Sequence, residues 1–226
     1  MARMLDTLFP PKAIKSHSAD ALPVTFVHEL HDMSAALAPD QDAAIWARTV
    51  PSKVQQWLDF LPPRNLPSGR FVLSPDQVAP CMRDLFKAKS IPASPALDWL
   101  CEDAGRLAQS VAQPDNTELV RLRVEHIVNN ACSKLHIDNV VARLICTYRG
   151  PGTVLGLDPK TEAQLQTVPT GLPILLKGKK WPGARMPSLH HRSPAIEGTG
   201  ESRLVLVLEG CTEKDIFPAY DTIYQS

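Results

Sequence analysis

The 226-residue chain has no surplus of either charge, with 24 Lys and Arg set against 24 Asp and Glu. That balance gives no field for gripping phosphate backbones or anionic lipid surfaces, so neither nucleic acid nor membrane is an expected partner. Nor is there an apolar run of about 18 residues that would span a bilayer. The first residues carry Arg3, Asp6, Lys12 and Lys15 where a secretion signal needs an apolar stretch. A cytoplasmic protein is the expectation. Cys-x-x-Cys is also missing: Cys81, Cys101, Cys132, Cys146 and Cys211 are odd in number and far apart, which fits a reducing compartment and buried thiols. Two catalytic signatures fall short as well. His28-Glu29-Leu30-His31 has Asp32 where the helix of a zinc protease needs its second histidine. Gly150-Pro151-Gly152-Thr153 lacks the spacing and the lysine of a phosphate-cradling loop, and reads as a tight turn.

Proline, by contrast, is abundant. Its 21 copies divide the chain into short elements and exclude long uninterrupted helices. Residues 1–22, with Pro10-Pro11, read as a lead-in. Residues 23–114 read as mainly helical. Asp42 to Thr49 carries a helical signal, and Val54, Trp57, Leu58 and Leu61 share one helical face before Pro62-Pro63 stops the run. Ser74-Pro75 and Ser94-Pro95 each offer an N-cap and a first-turn proline, for helices over Asp76 to Lys87 and Ala96 to Gln113.

From residue 115 onward the period changes. Leu119, Val120, Leu122, Val124 and Ile127, then Val140 to Tyr148, Pro173 to Leu176 and Arg203 to Leu208 read as short strands bounded by turn residues. With no helices of crossover length between them, they predict an antiparallel sandwich or barrel, residues 115–226, beside the helical region. The fold class expected is α+β.

The chemistry sits in that second part. In extended backbone residues i and i+2 face one side, so His136 and Asp138 of Leu135-His136-Ile137-Asp138 project together. A further imidazole from His190-His191 completes a set of two histidines and one carboxylate, which holds a redox-active Fe(II) and leaves coordination positions open. The two neighbours face opposite ways on a strand, so only one of them belongs to the set. Arg203, at the head of a strand, has the planar fork that grips a carboxylate bidentately, and a diacid co-substrate is its natural partner. Cys132 and Cys146 flank the His-x-Asp motif, and a thiolate from either would favour zinc. His126 has no assignable role. In the basic stretch Lys177 to Trp181, Lys177 or Trp181 would shape the pocket of an acidic or aromatic substrate if the stretch is more than a solvated hairpin end.

The order His-x-Asp, then Tyr148-Arg149-Gly150-Pro151-Gly152-Thr153, then His191 and Arg203 resembles the double-stranded β-helix, a cupin-like jelly-roll, of Fe(II)/2-oxoglutarate-dependent oxygenases. The blocks Lys134 to Asp138, Leu144 to Thr153 and His191 to Pro194 also look like a bacterial family of uncharacterised proteins, sometimes encoded beside zinc-responsive genes. The first resemblance implies that His136, Asp138 and His191 hold Fe(II), and that Arg203 binds the distal carboxylate of 2-oxoglutarate with Tyr148 hydrogen-bonding the same co-substrate. His191 is preferred over His190 because it precedes Arg192-Ser193-Pro194, a context similar to that of the distal ligand. The chain departs from the oxygenase pattern at Arg203-Leu204-Val205, where Arg-x-Ser is frequent, so one hydroxyl is missing. The implied activity is hydroxylation or oxidation of a small molecule or peptide. The rival expectation is a non-enzymatic jelly-roll that binds zinc in zinc homeostasis.

Overall fold

The structure, a computed structural model, describes residues 22–112, 117–161, 164–216 and 222–223. The expected lead-in lies outside them except for Leu22, as does Gln113 at the expected end of the last helix. In chain order come β1 (Val24–Val27), β2 (Ala43–Trp46), α1 (Ser52–Phe60), β3 (Gly69–Leu73), α2 (Val78–Ala88), α3 (Pro95–Ala112), β4 (Leu119–Ile127) and β5 (Ala142–Arg149). They are followed by β6 (Val154–Gly156), β7 (Gln166–Thr167), β8 (Ile174–Lys177), β9 (His190–Arg192), β10 (Arg203–Cys211) and β11 (Thr222–Ile223).

The helices form where capping and spacing direct them. Ser94 Oγ accepts from the Leu97 amide at 3.2 Å and satisfies one of the orphan donors that open α3. Leu97, Leu100, Cys101, Ala104, Leu107, Ala108 and Val111 then line one buried stripe of that helix. Asp42 to Thr49, expected to be helical, is corrected: Ala43-Ala44-Ile45-Trp46 is strand β2, paired on one edge with β1 and on the other with β8. Residues 23–114 thus contribute three strands as well as three helices, and the main sheet runs across residue 115.

That sheet has the order β1-β2-β8-β5-β10-β4-β3-β11, and β7-β6-β9 makes a second one. All pairings are antiparallel except β1 with β2 and β3 with β11. Strand alternation divides the core in two. On one face of the main sheet Leu144, Cys146, Tyr148, Leu122, Val124, Leu204, Leu206 and Leu208 pack with the three helices. On the other, Ile145, Val205, Val207, Ile174 and Leu176 pack with Leu155 of β6, against the second sheet. The layers are helices, main sheet and small sheet. The polar residues that line a pocket lie between the two sheets.

Candidate metal and co-substrate site

His136 and His191 form an antiparallel bridge in which each amide donates to the other's carbonyl, at 3.0 and 2.9 Å. A pair that exchanges both hydrogen bonds stands directly opposite, with both side chains on one face, and the imidazole centroids are accordingly 4.5 Å apart. Asp138, two residues after His136, joins the same face. Its Oδ1 lies 3.4 Å from His136 Nε2 and its Oδ2 lies 3.0 Å from His191 Nε2. One donor atom from each of the three residues falls within 4.8 Å of the other two. Loop contacts hold the pair in place: Asn130 Oδ1 accepts from the Ile196 and Glu197 amides, and the Ser193 amide donates to Cys132 O. His190, its neighbour on β9, instead bonds Ser188 O through Nδ1.

The donor set fits a divalent ion. His136 Nδ1 is 2.8 Å from Lys134 O, which places the proton on Nδ1 and leaves Nε2 with its lone pair toward the other two residues. Asp138 Oδ2 is buried and faces His191 Nε2. Burial pushes the Asp138 carboxyl up, but His136, His191 and the Arg143 guanidinium outweigh it and hold the group well below the usual carboxylate range. Contact with Asp138 raises His136, whereas burial lowers His191. A carboxylate and a buried neutral imidazole are the protonation states that bind metal.

His136 and His191, both in contact with Asp138, line one cavity of about 60 Å³ with Arg203, Ser193, Thr153, Val205, Val207 and Ile145. That is room for about four to six water-sized groups. Arg203 is 1% exposed. Its Nε donates to Pro151 O at 2.7 Å, Nη1 to Ser193 Oγ at 2.9 Å and Nη2 to Thr147 Oγ1 at 3.2 Å. All three acceptors are neutral, and no carboxylate among the described residues pairs with this guanidinium. Burial lowers it to about 10, with the more distant Glu125 working against that fall. Gly150 makes room for the arrangement: it adopts a φ of +77°, and a Cβ there would stand 2.4 Å from Ser202 O and 3.0 Å from Arg203 Cγ.

Tyr148 is the correction. Its hydroxyl donates to Asp103 Oδ2 at 2.6 Å in the helix layer, away from the cavity. Alternation along β5 sends Arg143, Ile145 and Thr147 to the small sheet and Leu144, Cys146 and Tyr148 to the helices. The ladder to β10 shifts by one residue here, leaving Tyr148 as the extra residue of a bulge whose carbonyl is taken by Gln55 of α1. Cys146 shares that side, away from the cavity, which removes it as a ligand there, and burial raises its thiol to about 12. Cys132 does line the cavity mouth but is not one of the three convergent donors. Lys177 is buried, donates to Ala38 O at 2.9 Å and stacks over Trp181, and neither residue lines the cavity. Sequence reasoning missed Thr147 and Ser193, the hydroxyls beside Arg203. Ser193 was accessible from its place two residues after His191, and Thr147 from the same alternation that excludes Tyr148.

No helix among the described residues is long and apolar enough to cross a membrane. No curated protein matches the chain. Among solved structures, the dioxygenase for auxin oxidation 1 from Arabidopsis thaliana, in a binary complex with 2-oxoglutarate, is similar over 89% of this chain and all of its own, with 9% identity and a TM-score of 0.50. Neurospora crassa T7H, solved in complex with alpha-KG, is similar over 93% of this chain and 91% of its own, with 10% identity and a TM-score of 0.47. A Pseudomonas putida prolyl-4-hydroxylase covers 88% and 99% in the same sense, with 15% identity and a TM-score of 0.44. The likeness to the auxin dioxygenase is one of fold. The model of one sequence family, described as a protein of unknown function (DUF1826), matches residues 28–209, and the chain belongs to that family.

Proposed function

We propose that the two sheets are the walls of a double-stranded β-helix buttressed by the N-terminal helices, and that the protein is an Fe(II)/2-oxoglutarate-dependent oxygenase. One observation carries the reading: a buried guanidinium whose hydrogen bonds all go to neutral acceptors shares a small cavity with two imidazoles that both contact the Asp138 carboxylate. A buried charge needs compensation, and a carboxylate of a dianionic oxo acid would supply it to Arg203.

In this reading His136, Asp138 and His191 hold the ion, whose chemistry is the activation of dioxygen coupled to oxidative decarboxylation of 2-oxoglutarate. The chain's own residues do the rest. Lys134 O fixes the His136 tautomer. Arg203 takes the distal carboxylate in its fork, with Ser193 Oγ and Thr147 Oγ1 holding the guanidinium in register and replacing the hydroxyl that Leu204-Val205 lacks. Val205, Val207 and Ile145 give the cavity an apolar wall that limits water. The substrate, a small molecule or a peptide segment, enters at the mouth, where Cys132 lies.

The test is an anaerobic titration of metal-free protein with Fe(II) and then 2-oxoglutarate, following the visible metal-to-ligand charge-transfer band. Wild type gives the band, His136→Ala abolishes it by losing the ion, and Arg203→Ala keeps the ion but weakens the co-substrate. Tight metal binding with no band, and no succinate formed in air, would sink the oxygenase reading.

A further inference from the structure

Arg143, on the cavity wall, belongs to a set of largely buried charges that the reading above leaves unused. Arg143 of β5 spends its whole guanidinium on two carboxylates. Nε and Nη2 both go to Glu209 Oε1, the former at 2.8 Å, while Nη1 meets Asp138 Oδ1 at 2.5 Å. Glu209 of β10 is itself 4% exposed, and its second oxygen accepts from Arg121 of β4 at 3.3 Å. Arg121 is anchored in turn by donating to Asp215 O at 2.6 Å. Register explains the alignment: Glu209 stands opposite Arg121 on β4, and the β5 ladder that pairs Leu208 with Leu144 brings Arg143 alongside.

The consequence falls on Asp138. A free carboxylate presents two equivalent oxygens and swings between binding an ion through one or through both. Here Oδ1 is engaged by Arg143, while Oδ2 is buried and has the His191 imidazole, not a cation from the sheet, beside it. A sheet built only for stability has little reason to set a charge chain in its interior, since apolar residues of similar volume serve as well or better.

We propose that Arg143, clamped by Glu209, is a positioning residue that holds Asp138 Oδ1 and so presents Oδ2 as the single carboxylate donor to a divalent transition-metal ion. This inference rests on the metal reading of His136, Asp138 and His191. The planar fork is required: it spans two carboxylates at fixed geometry, which a lysine ammonium cannot do.

The experiment titrates the metal-free full chain with Co(II) under anaerobic conditions, following affinity and the visible d–d bands, whose intensity and position report coordination number. Melting of each metal-free protein is recorded in parallel. Arg143→Gln is expected to bind Co(II) about 10- to 100-fold more weakly than wild type, as losses of a ligand's supporting partner do. Its bands should also change, because Asp138 is free to chelate through both oxygens. Glu209→Gln should shift affinity and bands in the same direction by a smaller factor, and Arg143→Lys should recover part of the affinity but not the wild-type spectrum. A purely structural role would lower the melting temperature and leave the spectrum of the folded protein unchanged. A folded Arg143→Gln with wild-type bands and affinity within twofold overturns the proposal. Should that variant fail to fold, the same result from Glu209→Gln overturns it. Failure of wild type itself to bind Co(II) removes the metal reading and this inference together, and is distinguished by the control titration.

Discussion

The two faces of strands β4, β5 and β10 are made from alternating residues of the same segments, yet they carry opposite chemistry. Toward the helices, Val120, Leu122, Val124, Leu144, Leu206 and Leu208 form a dry apolar face. Toward the small sheet, Arg121, Arg123, Glu125, Arg143, Arg203 and Glu209 interrupt Ile145, Val205 and Val207 with charge. Each face also has one exception that proves instructive. Among the described residues the helix side has a polar knot, in which the buried Asp103 of α3 accepts from Arg48, Arg106 and the Tyr148 hydroxyl. Every charge in that knot has a charged or hydroxyl partner, so it closes on itself. On the cavity side, Arg203 meets only neutral acceptors, and Asp138 shares its charge with Arg143 and the two imidazoles. Charge pairing thus separates a structural cluster from a candidate site: the knot compensates its own charges, whereas Arg203 has no carboxylate hydrogen-bonded to it among the described residues.

The largest test of that contrast removes Asp103. Its side chain is fully buried, and Arg48, 6% exposed, would be left as an uncompensated cation. Asp103→Ala is expected to cost about 3–5 kcal/mol of folding stability in urea unfolding. Metal affinity of the molecules that remain folded should be unchanged. Loss of metal binding without loss of stability would show that the two faces are coupled.

A finer test uses two neighbours on β5. Tyr148→Phe deletes the hydroxyl bonded to Asp103, leaves a buried carboxylate oxygen without its donor, and should destabilise the fold by about 1–3 kcal/mol with 2-oxoglutarate affinity untouched. Thr147→Val deletes the hydroxyl that steadies Arg203. It should weaken 2-oxoglutarate by about 1 kcal/mol, roughly fivefold, with less effect on stability. Isothermal titration and denaturant melts of both variants decide it, and a fall in co-substrate affinity in Tyr148→Phe would restore that residue to the site.

These neighbours also show what a sequence reveals and what it hides. The strands over 119–127, 142–149 and 203–211 were legible because alternation and β-branched residues are local signals. The His-x-Asp pair was legible for the same reason, being a contact at i+2. Strand β2 was not, since Ala43-Ala44-Ile45-Trp46 is buried on both faces and a short continuous apolar run carries no period to separate strand from helix. Tyr148 entered the site through the resemblance, although alternation along β5 sets it with Leu144 and Cys146; the register with β10 fixes which of those faces meets the cavity. The Arg143 to Glu209 contact spans 66 residues and depends on that same register, so no motif encodes it.

The smallest effect concerns His126, which sequence left without a role. It stands on β4 opposite Leu204, on the helix side, and its buried Nε2 has no hydrogen-bond partner. Burial, then the nearby Arg149 and Lys89, lower its pKa below the ordinary value of about 6.5. The sign follows from linkage. As pH falls through about 6.5 the unfolded chain takes up a proton that the folded chain refuses, so stability declines, and the decline stops once the folded imidazole also protonates. His126→Gln removes this contribution. Since His136 and His191 titrate on the opposite face in both proteins, the difference between variant and wild type isolates His126. Urea unfolding at pH 7.5 and pH 5.5 should show wild type losing more stability on acidification than His126→Gln. Equal losses would mean that His126 gains its proton in the folded state as readily as in the unfolded one, and that the helix-side face is solvated at this edge.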